Sequence, residues 1–303
     1  MRITIFGAGG VGGLFGSFLA KAGRAVEFIA RGEQYKAPSQ TGLKVTTPHG
    51  DFEIPTVSVF SSTEMLKKSK GFSELILVCV KTWHIEQSIE PLKSIVGPKT
   101  ILLPLSNGLV STQTLIHTFG KEKVVPGLCY GHYWMESPGK VLHIGPLAKI
   151  VFGELDSSLS ERSQQILEVL SVPGIEVMIA ESIEVEQWKK FIVIASLGPL
   201  TSICKISVDR LMKFQGMRML LEQGMREVQA LAMAKGILIP ENTLSNALTL
   251  LDKGSSGATT SMQRDFLNNQ PTELEAFSGY IIREAEKHAV SVPFHQWCYE
   301  SLA

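Results

Sequence analysis

The residues best suited to chemistry stand at the start of the chain. Gly7-Ala8-Gly9-Gly10-Val11-Gly12 matches the spacing G-x-G-x-x-G, which cradles a pyrophosphate when it joins a strand to a helix. Gly7 lets the chain turn sharply. Gly9, without a Cβ, lets phosphate oxygens approach the backbone, and Gly12 lets the following helix lie close on the strand. The free N–H groups and the positive dipole end of that helix then face an anion. Arg31 lies about 20 residues past the glycines, where this fingerprint places its ribose reader. Lys81 and Asn107 each follow an apolar, strand-like run by one or two residues. The plainer alternatives are a solvated arginine, a surface lysine and an ordinary Asn-Gly turn.

The elements around these residues favour the chemical reading. Residues 3–6 are short, apolar and partly β-branched, as in a buried parallel strand, and Leu14, Phe15, Phe18 and Leu19 recur at helical spacing. Without that setting, the glycines would suit a glycine-rich turn in some other α/β protein. A second strand is expected over 25–30, leading into Arg31. An acid near its end would hold a ribose 2′-hydroxyl, whereas an arginine accommodates a 2′-phosphate. Glu27 lies too early, in mid-strand, so Arg31 predicts NADP (NADPH) as the cofactor. Short strands are expected over 43–47 and 52–60, around the turn Pro48-His49-Gly50. A buried strand over 75–80 precedes Lys81, with a helix over 85–95. A strand over 100–105 ends in Ser106-Asn107-Gly108, before a helix over 110–119. Such alternation marks a doubly wound parallel sheet, whose ligands bind beyond the carboxyl ends of its strands.

Further on, 124–143 reads as antiparallel extended chain with a Pro138-Gly139 turn, followed by a strand over 149–153, a helix over 160–170 and a strand over 175–179. From residue 182 the pattern turns helical, with helices expected over 185–197, 217–235, 241–251 and 272–288 and a flexible break at 254–257. The expectation is an α/β chain: a Rossmann-type dinucleotide-binding domain over 1–181, then an all-helical domain over 182–303.

Composition narrows the function. The chain has 303 residues, 44% of them hydrophobic, with 29 basic and 29 acidic side chains. A net charge of zero argues against nucleic acid or a membrane surface as partner, so anion selectivity must come from a few placed cations. Cys79, Cys129, Cys204 and Cys298 are scattered and form no C-x-x-C pair, so neither a metal site nor a disulfide framework is expected. Reduced thiols fit a cytoplasmic protein. The apolar run after Arg2 breaks at Gly7, unlike a signal peptide. The later run over 191–200 is too short to span a bilayer. Oligomeric state is not fixed by sequence, and a homodimer is compatible with it.

Two stretches of the helical half carry a more specific signal. One is Trp188-Lys189-Lys190-Phe191, running on to Gly198-Pro199-Leu200-Thr201; the other is Thr260-Ser261-Met262-Gln263-Arg264-Asp265, running on to Pro271-Thr272-Glu273-Leu274-Glu275. Together with the N-terminal glycines, Val80-Lys81 and Ser106-Asn107-Gly108, they resemble the ketopantoate reductase (2-dehydropantoate 2-reductase) family over almost the whole chain. The resemblance implies NADPH-dependent reduction of a small 2-keto acid, ketopantoate above all, in pantothenate biosynthesis. It implies an active site between a Rossmann domain and a helical domain. Residue by residue, it makes Lys190 and Glu273 catalytic, with Ser261 and Asn107 on the substrate. Lys81, Asn107 and Glu273 join the glycine loop and Arg31 as cofactor contacts. A lysine suits hydride delivery to a ketone, since it can stabilise the developing oxyanion and donate the proton.

The chain departs from the family pattern one and two helical turns after that lysine, where asparagines give way to Ile194 and Gly198. All three positions share one helical face, and Ser196 is rotated off it. The glycine is expected to open room for a bulkier or more apolar substrate, or else to ease a kink at Pro199. Two other readings remain open at this point. One is a 3-hydroxyacid or 6-phosphogluconate type of dehydrogenase. The other is a non-catalytic NADPH sensor.

Overall fold

Short apolar runs build the sheet that carries the glycine turn. The computed structural model describes residues 1–254 and 256–303; the expected break at 254–257 includes Ser255, outside the described residues. In chain order the first part holds β1 (Ile3–Phe6), α1 (Gly10–Lys21), β2 (Val26–Ile29), α2 (Glu33–Thr41), β3 (Leu43–Thr46), β4 (Phe52–Ile54), β5 (Ser58–Phe60) and α3 (Thr63–Lys70). There follow β6 (Ser73–Val78), α4 (Ile85–Ile95), β7 (Val96–Pro104), α5 (Val110–Phe119), β8 (Gly127–Ser137), β9 (Lys140–Phe152), α6 (Glu161–Leu170) and β10 (Glu176–Ile179).

One sheet has the order β5-β2-β1-β6-β7, and every pairing in it is parallel. All residues of β1 and β2 are buried, as befits strands covered on both faces. The chain winds outward from β1 in one direction through β2, then returns to place β6 on the other side of β1. That reversal is the topological switch point of a doubly wound sheet. Register aligns the strand ends, since Phe6 pairs with both Ile29 and Val78. Gly7, Ala30, Ser61 and Cys79 therefore leave the sheet along one edge.

A second sheet runs β10-β9-β3-β4, with β8 paired to β9. Helix α1 packs between the two sheets, and Leu14, Phe15 and Leu19 are fully buried there. The antiparallel pair β8–β9 turns at Gly139, whose φ of +77° favours glycine. The strand expected over 149–153 is the end of the long β9. The stretch expected as one strand over 52–60 divides instead: β4 pairs with β3 in the second sheet and β5 with β2 in the first. Pro55, which has no N–H for a ladder, stands at the division. Helices α2 and α3 are short and polar, and the apolar pattern does not predict them.

The chain separates into two units, one of Met1–Asn107 with Ser111–Ile183 and the other of Gly108–Val110 with Glu184–Ala303. The second is helical: α7 (Ile183–Cys204), α8 (Val208–Lys213), α9 (Gln215–Ala234), α10 (Thr243–Asp252), α11 (Ser261–Leu267), a π-helical turn (Glu275–Gly279), α12 (Tyr280–Lys287) and α13 (Pro293–Leu302). Helix α7 does not end at Leu197 as its pattern predicts; it continues through Pro199 to Cys204. Gly198 makes this feasible, because it has no Cβ to clash with the proline ring. The hydroxyls of Thr201 and Ser202 donate to the Gly198 carbonyl at 3.0 and 2.8 Å. The helix expected over 272–288 starts instead with the π-helical turn, a form that recurs at functional sites. Buried Glu227 accepts from the Phe294 and His295 N–H groups at 2.9 and 3.2 Å and so satisfies the first turn of α13. Among the described residues no helix is long and apolar enough to cross a membrane.

Candidate functional site

A cleft of about 390 Å³ opens where the strands of the parallel sheet end. Gly7, Ala8 and Gly9 form its floor, and Arg31, Gln34, Ser62, Lys81 and His84 line it further. Its size lies in the range of small-molecule and cofactor sites. The sheet positions each residue. Gly7 N–H donates to the Ile29 carbonyl at 3.1 Å and Cys79 N–H to the Phe6 carbonyl at 2.9 Å, which locks the turn to its neighbours. Gly7 has φ +103°, a conformation that other residues rarely adopt. A Cβ at Gly12 would lie 2.1 Å from the Gly7 carbonyl oxygen and 2.6 Å from Ile5, so only glycine allows α1 to start this near β1. Gly10 and Val11 form the first turn of α1, and a Cβ on Gly10 would meet the Trp134 backbone at 3.0 Å.

Gly9 differs from these. It caps α1 with φ −79°, and nothing lies within 4 Å of a Cβ built on it. The space above it faces the first N–H groups of α1, whose first turn carries no acid. A helix terminus of this kind suits an anion, and here room is left open beside it. The cleft also holds a buried acceptor in want of a donor: Oε1 of Gln34 has no hydrogen-bond partner among the described residues. Open backbone donors, cations and an orphaned acceptor together fit an adenine dinucleotide.

The charges sort cleanly. Glu27 is only 5% exposed and lies 3.7 Å from the Arg2 guanidinium. Burial raises its pKa, and Arg2 partly offsets the rise. Its carboxylate is thus committed away from the end of β2. Arg31 is exposed at that end. The Lys81 ammonium sits 5.2 Å from the centre of the Trp83 ring. Burial and the Arg31 charge hold His84 below the usual imidazole pKa. Cys79 also lines the cleft, but burial raises its thiol pKa well above normal, so it is no nucleophile. Among the described residues no cluster of His, Cys, Asp or Glu could hold a metal ion.

Asn107 lies beyond this lining, in the loop after β7, where the Ser106 hydroxyl donates to the Val80 carbonyl at 2.6 Å. The next residue, Gly108, already belongs to the second unit, and a Cβ built on it would meet the rings of Phe277 and Phe191 at 3.5 and 3.6 Å. Lys190, Ser261 and Glu273 are residues of that second unit. Lys190 and Ile194 are half-buried on α7. Lys189 is paired at 2.6 Å with Glu186. Ser261 opens α11, and Thr260 rather than Ser261 caps it, accepting from Gln263 N–H at 3.1 Å. Glu273 is 1% exposed and lies two residues before the π-helical turn. Gly198 opens no room. A Cβ there would meet Met262 at 3.3 Å and Phe277 at 3.7 Å, so packing, not a substrate, fills the expected space. Ser196 turns inward, donating to the Ile192 carbonyl at 2.9 Å. The sequence reading assigns no role to Gln34 or His84. Their only signals are nearness to Arg31 and to Lys81, and the strand register brings them together.

A glycine turn at the switch point of a parallel sheet, with a helical unit after it, defines a dinucleotide-binding oxidoreductase. The family model for ketopantoate reductase PanE/ApbA matches residues 3–157, and that for the C-terminal part of the same enzymes matches residues 182–303. The chain belongs to the ketopantoate reductase family. It is 28% identical to the 2-dehydropantoate 2-reductase of a Nostoc species over 305 residues, covering 99% of this chain and 94% of the relative. The solved 2-dehydropantoate 2-reductase of Geobacter metallireducens superimposes with a TM-score of 0.93 at 26% identity, covering 100% of this chain and 99% of that one. A D-mandelate dehydrogenase solved with NADH and anilino(oxo)acetate shares the fold, with a TM-score of 0.91 at 21% identity over 100% of this chain and 97% of its own.

Gly9 offers a test of the cleft. Its backbone angles suit alanine, so Gly9→Ala should unfold within about 0.5 kcal/mol of the parent in urea. Titration with a nicotinamide dinucleotide should nonetheless show at least about tenfold weaker binding, because the new methyl enters the phosphate space.

Proposed function

We propose that this protein reduces a 2-keto acid with NADPH, acting on ketopantoate or on a more apolar relative of it. The observation that carries the cofactor choice is the pair Arg31 and Glu27: a cation at the end of β2, and the strand's one acid buried beside Arg2. The fold does not make that choice, since D-mandelate dehydrogenase was solved with NADH. Gly7 to Gly12 and the start of α1 hold the pyrophosphate in this reading, with Arg31 on the 2′-phosphate and Lys81 and Asn107 toward the rest of the cofactor. Four cysteines that form no disulfide and NADPH use both suit a cytoplasmic enzyme.

The bound nicotinamide supplies the hydride. The chain supplies position and charge. Lys190 holds the ketone oxygen, stabilises the negative charge that develops there and gives up its proton. Ser261 and Asn107 orient the substrate, and Glu273 orients the lysine or a substrate hydroxyl. Ile194, one turn from Lys190, places an aliphatic wall where the family pattern has an amide. The anilino(oxo)acetate of the D-mandelate dehydrogenase structure makes bulky 2-keto acids worth testing here as well.

Three measurements test this reading. NADPH should bind more tightly than NADH, and Arg31→Ala should narrow the gap; equal affinities in the parent protein would refute the cofactor choice. Lys190→Ala should lower kcat by roughly 10²–10⁴ with NADPH affinity retained, whereas Lys189→Ala, which loses only a surface pair with Glu186, should stay near normal. If Lys189→Ala is the inactive variant, the helical register is wrong. Ile194→Asn should raise kcat/KM for ketopantoate about fivefold, the equivalent of one hydrogen bond of about 1 kcal/mol. A parent enzyme already as efficient on ketopantoate as a dedicated reductase would make the isoleucine irrelevant to specificity.

A further inference from the structure

The cleft contains a titratable ring that hydride transfer does not need. His84 closes the 3₁₀ turn Thr82–His84 after β6 and lines the same cleft as Arg31 and Gln34. Its Nδ1 is hydrogen-bonded to the Gln87 side chain. With the Gln87 amide as donor, the neutral ring carries its proton on Nε2. Three charged groups line the cleft around it: Arg31 from the end of β2, Glu64 from the first turn of α3, and Lys81 from its own loop. Glu86 lies in the first turn of α4. The Ser62 hydroxyl holds the Glu64 carboxyl below its usual pKa, so that group stays ionised and takes up no proton near neutral pH. In the free protein, burial and the Arg31 cation both favour a neutral ring.

A ribose 2′-phosphate would reverse the local field. It brings a charge of about −1.5 to −2 at pH 7, which outweighs the net single positive charge left by Arg31, Lys81 and the Glu64 carboxylate. A ring facing net negative charge favours its protonated form. We propose that His84 takes up a proton from solvent when a 2′-phosphate binds beside Arg31, and so acts as a second, pH-dependent selector of NADPH over NADH. The proposal rests on the NADPH reading above. The protonated ring donates from Nε2 to a phosphate oxygen. Gln87 rotates to present its carbonyl oxygen to the new Nδ1–H.

The sign follows from linkage. The complex binds one more proton than the free protein. Affinity for a 2′-phosphate therefore falls as pH rises through the ring's pKa in the complex, by at most about tenfold per pH unit. The phosphate's own second ionisation, near pH ~6, acts in the opposite sense below that value, so the informative window lies above it.

The experiment uses two fragments, adenosine 2′,5′-bisphosphate and 5′-AMP, which share the adenosine and differ in the 2′-phosphate. Each is titrated calorimetrically into the full-length protein and into His84→Gln, from about pH 6.5 to about pH 8.5. Two buffers of different ionisation heat measure proton uptake, and the His84 ring is followed by NMR with and without the bisphosphate. In the parent protein the bisphosphate should take up protons, weaken about tenfold across that range, and shift the ring resonances toward the protonated form. 5′-AMP should do none of these. In His84→Gln the bisphosphate should bind with a flatter profile and less uptake. If His84→Gln keeps the parent's profile and uptake, or the ring does not titrate in the complex, His84 has no such role. If the parent protein binds the two fragments equally well, the NADPH reading itself fails.

Discussion

The close approach of α1 to the strands beneath and above it governs the rest of the first unit. A Cβ at Gly16 would lie 2.4 Å from the Phe28 ring, one at Gly13 would lie 2.9 Å from Val141, and one at Gly12 would lie 2.1 Å from the Gly7 carbonyl oxygen. Gly12 and Gly16 thus face the parallel sheet, while Gly13 faces the second sheet. Between them Leu14, Phe15 and Leu19 are fully buried, and each such side chain contributes about 1.5–3 kcal/mol by leaving water. Glycine spacing sets the distance and the large side chains supply the adhesion. The N-terminus of α1 is thereby held at the end of β1, where its free N–H groups meet the Gly7–Gly9 turn.

Electrostatics then sets the character of the cleft. The chain is neutral overall, with 29 basic and 29 acidic side chains, so no long-range field gathers anions. The local arrangement places positive charge at the cleft. Arg31, Lys81 and the start of α1 all face the cleft, while burial and Arg2 withdraw Glu27 from it. A cation at the rim of a partly desolvated cleft acts more strongly than one in open water.

In the second unit α7 has the organising role. Phe191 meets Trp188, Phe277 and Tyr280 edge to face, at centroid distances of 5.8, 6.0 and 5.8 Å. Such pairs add about 0.5–1.5 kcal/mol each beyond burial. Gly108 lies on the Phe191 and Phe277 rings, and Leu109 joins the same core. Gly108 and Leu109, which belong to the second unit, are thereby fastened to its core. Gly198 serves two packing needs here, since it tolerates Pro199 and it admits Met262.

Local signals made much of this protein legible. The apolar runs of β1, β2 and β6, the glycine spacing, the helical periods of α4, α5 and α9, and the cation after β2 all depend on neighbours a few residues apart. The family motifs added Lys190, Ser261 and Glu273 as candidate site residues. Other features depend on partners distant in sequence. The split of 52–60 into strands of two sheets follows from which strand each half meets. Helix α7 runs past Pro199, where Gly198 presents no Cβ to the proline ring. The space over Gly198 is taken by Met262, which comes from another helix. Gln34 and His84 enter the cleft because parallel register brings the ends of β2 and β6 to one edge. The sequence by itself determined most of the elements and the residue types at their ends, because residue type and short-range period encode both. Only the tertiary structure decided which spaces are open and which charges are neighbours, because those depend on contacts between segments that no local period records.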